Sequence, residues 1–298
     1  MRLVILSKHD ALAYFDQSYH IDKMSATEQK ARGANPGHIV HHYKQQLVEP
    51  TPDHHRILHR YVQMMEPYLH QFARKLAAYH PQYKVILVKA NTEWDYPFTL
   101  AKQSNPTDGA VVLSLKVFRD AQRALYQRNS AMIKHFLTIL VHELIHLDQK
   151  RDSTMYQFVY QQMGFQFLPV TLSPVVQNAI LTNPDGSQPN GQWVISLRLQ
   201  GNTTAWFMPS MMLLGGQHRS MLIELSKDGL TGNLSADSLK LVPIEGSLYQ
   251  RRFGLAANEL THPNELVAYM LSEYVIQSHR YETGSFTHHY QLMLSLLN

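Results

Sequence analysis

Residues 137–147 constrain the fold of this chain more than any other stretch. They read Leu-Thr-Ile-Leu-Val-His-Glu-Leu-Ile-His-Leu, so apolar side chains surround two histidines and one glutamate. The apolar background predicts a long helix over residues 131–150, with Ser130 as its N-cap. A helix that is apolar on every side must be embedded in the fold. We therefore expect this helix to lie in the centre of the protein.

The spacing of the ionisable residues in this helix indicates a metal site. His142 and His146 are four residues apart, so an α-helix places them on one face, where both can bind one ion. Glu143 follows the first histidine and can reach a water molecule on that ion as a general base. The chain has 18 histidines and no cysteine, so a metal site here must use imidazole and carboxylate ligands. Zn²⁺ suits such ligands and leaves one position for water.

The periodicity along the chain predicts an α+β fold in three parts. Residues 1–164 are expected to combine an N-terminal helical region with a sheet and the His-Glu-x-x-His helix. Residues 165–250 alternate turn signals with strand-like runs and predict a β-rich insert. Residues 251–298 predict helices, one over 263–278 and another over 286–297, that complete the metal site.

Residues 139–147 resemble the active-site helix of the zincin metallopeptidases. The resemblance implies a zincin-like core, a mixed sheet whose edge strand precedes this helix, and the strand-rich region 84–115 is in the right place for that sheet. It also implies hydrolysis of peptide bonds with Zn²⁺ as the cofactor. Asp148 departs from the longer zincin pattern, which carries an apolar residue there. Its place near the end of the helix favours a solvated carboxylate.

The third metal ligand separates the zincin subfamilies. The residues after His146 do not continue as the metzincin pattern does, and the next histidine, His218, is a poor match to the SprT-like proteases. The sequence from 262 to 269, His-Pro-Asn-Glu-Leu-Val-Ala-Tyr, resembles the later helix that supplies a glutamate in gluzincins, which implies Glu265 as the ligand. Glu259 and Glu273 remain alternatives. The former precedes Pro263 in an expected loop, and the latter lies two turns further along the helix.

Two further residues are candidates for stabilising the transition state. Tyr269 is one turn beyond Glu265 on the same helix face, and His262 stands just before the helix. Tyr269 is equally well explained as a core aromatic residue, and His262 as a capping residue.

The sequence therefore predicts a zinc-dependent endopeptidase that acts on a protein or peptide substrate. A SprT-like DNA-associated protease is an alternative that the net charge of +4 permits, although no basic and aromatic cluster supports nucleic-acid binding. A non-catalytic toxin-like or virion binding protein with a zincin fold is another. Without a signal peptide or membrane segment, we expect a soluble, cytoplasmic protein with no membrane partner, and non-classical export stays open.

Overall fold

The computed structural model describes residues 1–16, 24–89, 96–102, 104–181, 191–199, 203–227, 233–237 and 239–277, and residues 291, 293–295 and 297. The protein has the predicted α+β composition. The chain divides into two compact units, the first comprising Met1–Lys23, Gln29–Ser153 and Ala268–Asn298, and the second Met24–Glu28 and Thr154–Val267. Most of the helix predicted over residues 286–297 lies outside the described residues.

The order of elements places the strands in two groups along the chain. The first group, with its helices, is β1 (Arg2–Ile5), α1 (Lys8–Asp16), α2 (Ala26–Ala31), α3 (Ile39–Gln46), α4 (Pro52–Phe72), α5 (Arg74–Tyr79), β2 (Gln82–Val88), β3 (Phe98–Lys102), β4 (Asn105–Ser114), α6 (Leu115–Tyr126), α7 (Ser130–Arg151) and α8 (Ser153–Gln162). The second is β5 (Phe165–Leu168), β6 (Val170–Leu172), α9 (Pro174–Ala179), β7 (Gln192–Arg198), β8 (Thr204–Leu214), β9 (Gln217–Lys227), β10 (Leu234–Ala236), β11 (Leu241–Pro243), α10 (Leu248–Phe253), a 3₁₀ helix (Ala257–Leu260) and α11 (Pro263–Gln277).

The first unit contains a four-stranded mixed sheet in the order β1-β2-β4-β3. Strands β1, β2 and β4 are parallel, whereas β3 is antiparallel to β4 and forms one edge. The inner strand β2 is apolar and buried over its second half, residues 85–88, as expected of a strand covered on both faces. The strand-rich region that the sequence predicts over residues 84–115 supplies three of the four strands, and β1 near the start of the chain supplies the fourth.

Neighbouring residues of strand β2 point to opposite faces of the sheet and therefore contact different helices. Tyr83 of β2 donates a hydrogen bond from its hydroxyl to the carbonyl oxygen of Leu140 in α7, at 2.9 Å. The next residue, Lys84, instead reaches the Tyr14 hydroxyl of α1, at 3.3 Å. Gly109 of β4 leaves room for the close approach of α7, since a Cβ there would lie 2.5 Å from Leu147 Cδ2.

The long helix begins and ends close to the predicted bounds. Its N-cap is Asn129 rather than the predicted Ser130, because the Asn129 side chain accepts a hydrogen bond from the Met132 backbone nitrogen at 3.2 Å. Its first turns are partly exposed, whereas residues 140–149 are buried without interruption. The expectation of an embedded helix is therefore confirmed for the half that carries the His-Glu-x-x-His sequence.

The second unit is built around the predicted β-rich segment. Its seven strands form a sheet in the order β5-β7-β8-β9-β10-β6, with β11 paired to β9. The long strands β8 and β9 are joined by Gly215 and Gly216, whose φ values of 57° and 78° suit a two-residue hairpin turn. Buried aliphatic and methionine side chains, among them Met208, Met212 and Ile223, form the core beside the sheet.

No helix among the described residues is both long enough and apolar enough to cross a lipid bilayer.

Candidate metal centre

His142 and His146 lie on one face of α7, as their spacing predicts. Their Nε2 atoms are 2.8 Å apart, and their rings meet edge to face with centroids separated by 4.4 Å. Both side chains are buried, at 8% and 1% exposure. At this distance one Nε2 atom can donate a hydrogen bond to the other, or both can turn their lone pairs toward one cation. The spacing of the two rings is therefore compatible with two ligands of one ion.

Gln149 holds the other ring nitrogen of His146. The Gln149 Oε1 atom lies 2.7 Å from His146 Nδ1, and Gln149 is itself buried. An amide oxygen can only accept a hydrogen bond, so Nδ1 carries the proton in this arrangement. The neutral imidazole then keeps its lone pair on Nε2, the atom that faces His142.

Glu265 completes a group of three potential metal ligands. One nitrogen from each of His142 and His146 and one carboxylate oxygen of Glu265 all lie within 4.8 Å of one another. No other group of three or more histidine or acidic side chains in the described part of the chain is close enough to hold one ion. Two imidazoles and one carboxylate are the donors of a common catalytic zinc site. The residues present therefore fit Zn²⁺.

The structure gives the other two candidate glutamates different surroundings. Glu259 lies in the 3₁₀ helix rather than in the expected loop, and its Oε2 accepts a hydrogen bond from the Ala256 backbone nitrogen at 2.9 Å. Its carboxylate thus caps that helix. Glu273 lies two helical turns beyond Glu265, a distance of about 12 Å along the axis. Neither belongs to the group that could hold one ion.

Glu143 is buried on the same turn of α7 as His142, at 4% exposure. Tyr83 of the neighbouring strand is close enough to sense its charge. Burial raises the pKa of the Tyr83 phenol far above its usual value, and the negative charge of Glu143 raises it further. Tyr83 therefore stays protonated and remains a hydrogen-bond donor to α7 beside the proposed general base.

The structure places Tyr269 against a candidate ligand. The rings of Tyr269 and His142 have centroids 4.4 Å apart and an interplanar angle of 57°, and Tyr269 is half-buried. His262 is half-buried, and its Nδ1 accepts a hydrogen bond from the Asn264 backbone nitrogen at 3.2 Å. His262 thus has the capping contact that the sequence left open. A role for either residue in stabilising a transition state stays a prediction.

Asp148 is buried, so the expectation of a solvated carboxylate is wrong. It is 3% exposed, and its Oδ1 lies 3.1 Å from His80 Nε2 and 2.8 Å from Arg151 Nε. Burial alone would raise its pKa, but the hydrogen bonds from these two residues outweigh burial and lower it. Asp148, which departs from the zincin pattern, therefore forms a buried ion cluster with these two residues. The sequence could not reveal this cluster because His80 is far away along the chain.

Two other residues near the candidate ligands were not predicted from the sequence. Gln149 lies three residues after His146, and this helical spacing could have indicated the contact. Tyr160 of α8 is near Glu265, and no sequence signal indicates it. Burial raises the pKa of Tyr160 far above its usual value, with a further contribution from the charge of Glu265. The Tyr160 ring packs against Trp193 with centroids 5.1 Å apart.

Comparison of the chain with models of protein families, with curated proteins and with solved structures finds no match.

Proposed function

We propose that this protein is a zinc-dependent endopeptidase in which His142, His146 and Glu265 hold Zn²⁺. The observation that carries the proposal is the convergence of these three ligand atoms within 4.8 Å of one another. The histidine pair belongs to the His-Glu-x-x-His sequence, in which a glutamate stands next to the first ligand. Such a ligand set leaves a coordination position for water, as catalytic zinc sites require.

The chemistry divides between the ion and the side chains around it. Zinc, when bound, supplies a Lewis acid that polarises the peptide carbonyl and makes water acidic enough to attack it near neutral pH. Glu143 accepts a proton from that water and passes it to the leaving amine. Burial of Glu143 among apolar neighbours excludes competing bulk water. Tyr269 and His262 are the candidates for donating a hydrogen bond to the developing oxyanion.

The first unit supports a zincin-like core as part of this proposal. A mixed sheet precedes α7 in the chain and has an antiparallel edge strand, β3, as the resemblance implies. Lys150 at the end of α7 donates a hydrogen bond to the Thr99 carbonyl oxygen of β3 at 2.8 Å. This hydrogen bond thus connects the edge strand β3 to helix α7, which carries the two histidines.

Substitution of the proposed general base tests the function directly. Glu143→Gln keeps the size of the side chain but cannot accept the proton, so peptide hydrolysis should fall by about 10²–10⁴-fold. Zinc content should stay at one ion per chain, because the three ligands are unchanged. Glu245→Gln, at an exposed position, is the matched control and should behave as the wild type.

The measurement is digestion of a peptide library, followed by identification of new protein termini in a cell lysate, with elemental analysis of the same samples. A wild-type protein that acquires no zinc after supplementation would refute the metal site. A zinc-loaded wild type that cleaves nothing would refute the peptidase, and cleavage by Glu143→Gln at the wild-type rate would refute the mechanism.

A further inference from the structure

We infer that Gln149 is a positioning residue that fixes the tautomer and orientation of His146 toward the metal, an inference that rests on the proposed zinc site. The contact is direct, with Gln149 Oε1 2.7 Å from His146 Nδ1. Both side chains are buried, so water cannot easily replace the hydrogen bond.

The tautomer decides whether His146 can bind a metal. A neutral imidazole carries one proton, and a nitrogen that carries it cannot ligate. The Gln149 carbonyl oxygen keeps that proton on Nδ1. It thereby leaves a lone pair on Nε2, the nitrogen that lies 2.8 Å from His142 Nε2. Without the acceptor, both tautomers of His146 become accessible, and the ring can also rotate about its χ2 torsion.

The turn that carries Gln149 is held by its neighbours on both sides. Asp148 is bonded to His80 and Arg151 within the protein. Lys150 is bonded to Thr99 of the edge strand. The backbone of Gln149 therefore lies between two anchored residues, and its side chain has a fixed starting point from which to reach His146. The three polar residues at positions 148–150 thus all have defined contacts, which the resemblance to zincins did not predict.

The acceptor is an amide, and this choice has a measurable consequence. A carboxylate in the same place would make a stronger hydrogen bond and raise the basicity of the imidazole ligand. An amide fixes the ring without adding a negative charge beside His146. Zinc should therefore bind more weakly in the natural protein than in a variant with glutamate at position 149.

The test measures zinc affinity by competition with a chelator on the full chain. Gln149→Met preserves length and burial but removes the acceptor, and zinc should bind about 10–100-fold more weakly. Gln149→Glu should bind zinc more tightly than the wild type. Gln63→Met, at an exposed position of α4, is the matched control and should leave affinity unchanged.

A spectrum distinguishes positioning from a loss of packing. The visible absorption of the Co²⁺-substituted protein reports the geometry of the ligands. It should change in Gln149→Met and be restored in Gln149→Glu, whereas a loss of packing alone would lower the unfolding midpoint and leave the ligand geometry of the folded protein unchanged. If Gln149→Met does not fold, Gln149→Asn takes its place, because its shorter amide is polar but cannot reach His146.

The outcomes separate this inference from the proposed function. If the wild type binds no zinc, the proposed function fails and this inference fails with it. If the wild type binds zinc and the Gln149 variants that lack the acceptor bind it equally well, with an unchanged Co²⁺ spectrum, the positioning role is refuted while the zinc site stands. Loss of zinc binding in Gln149→Glu would also overturn the positioning role.

Discussion

Lys150 Nζ donates hydrogen bonds to both the carbonyl oxygen and the hydroxyl oxygen of Thr99, the first at 2.8 Å. Thr99 is fully buried in the edge strand β3, and Lys150 lies on the last turn of the His-Glu-x-x-His helix. A long cationic side chain thus joins the helix that carries two candidate ligands to the strand at the rim of the sheet. Lys150 is half-buried, whereas the threonine oxygens that accept its hydrogen bonds belong to a fully buried residue.

Removal of this cation should loosen the edge strand. Lys150→Met keeps the aliphatic stem but withdraws a charged donor from buried oxygens, so the free energy of unfolding should fall by about 1–3 kcal/mol. Lys116→Met, at an exposed site on α6, should change it by less than about 0.5 kcal/mol. Urea unfolding of both variants measures the difference. Equal stability of the two would show that the contact does not hold β3.

Replacement of the three candidate glutamates should affect zinc binding at one position alone. Glu265→Ala should weaken zinc binding strongly, because it removes a ligand. Loss of a residue that only hydrogen-bonds to a ligand costs roughly 10–100-fold in affinity, and the effect here should be larger. Glu259→Ala should leave zinc bound and cost about 1 kcal/mol of stability, since its carboxylate caps the 3₁₀ helix. Glu273→Ala should also retain zinc.

Chelator titration of the three variants measures these affinities, and thermal unfolding measures the capping effect. Loss of zinc in Glu273→Ala alone would refute Glu265 as the ligand while keeping the metal site.

Disruption of the buried ion cluster behind α7 should be costly. Asp148→Leu leaves the buried His80 and the largely buried Arg151 without their shared carboxylate. Removing one partner of a buried ion pair typically costs about 3–5 kcal/mol, and we expect a loss in this range. Asp120→Leu, which breaks an exposed pair with Arg123, should cost less than about 1 kcal/mol. Urea unfolding of the metal-free proteins gives both values, and similar losses would contradict the burial argument.

The carboxylate of Asp108 should make the free energy of unfolding depend on pH. Asp108 accepts hydrogen bonds from Lys102, Lys84 and Tyr14. Burial alone would raise the pKa of this carboxyl group from 3.8, but the hydrogen bonds lower it to about 2. A lowered pKa means that the ionised form stabilises the fold, by about 2 kcal/mol above pH 4–5. This stabilisation is lost as the pH falls through the folded pKa.

The variant Asp108→Asn isolates this effect. The difference in unfolding free energy between wild type and Asp108→Asn should be largest near pH 7 and shrink between pH values of about 4 and 2. Asp53→Asn, in an exposed pair with Arg56, is the matched control and should cost less than about 1 kcal/mol. A difference that stays constant across this range would contradict the lowered pKa.

The sequence by itself was sufficient for features that depend on local spacing. The apolar run around His142 and His146 predicted a buried helix because helical periodicity and burial follow from neighbouring residues. The β-rich segment and helix α11 were predicted for the same reason. Even there the N-cap shifted from Ser130 to Asn129, since both residue types can cap and only the backbone geometry selects one.

The tertiary structure alone decided which distant residues meet. Sequence spacing left Glu265, Glu259 and Glu273 as candidate ligands, and only the packing of α11 brought Glu265 into one group with the histidines. Asp148 was expected in solvent, but His80 and Arg151 form an internal site for it. A charge can be buried only when partners surround it, and residues far apart in the chain supply those partners only after the fold has formed.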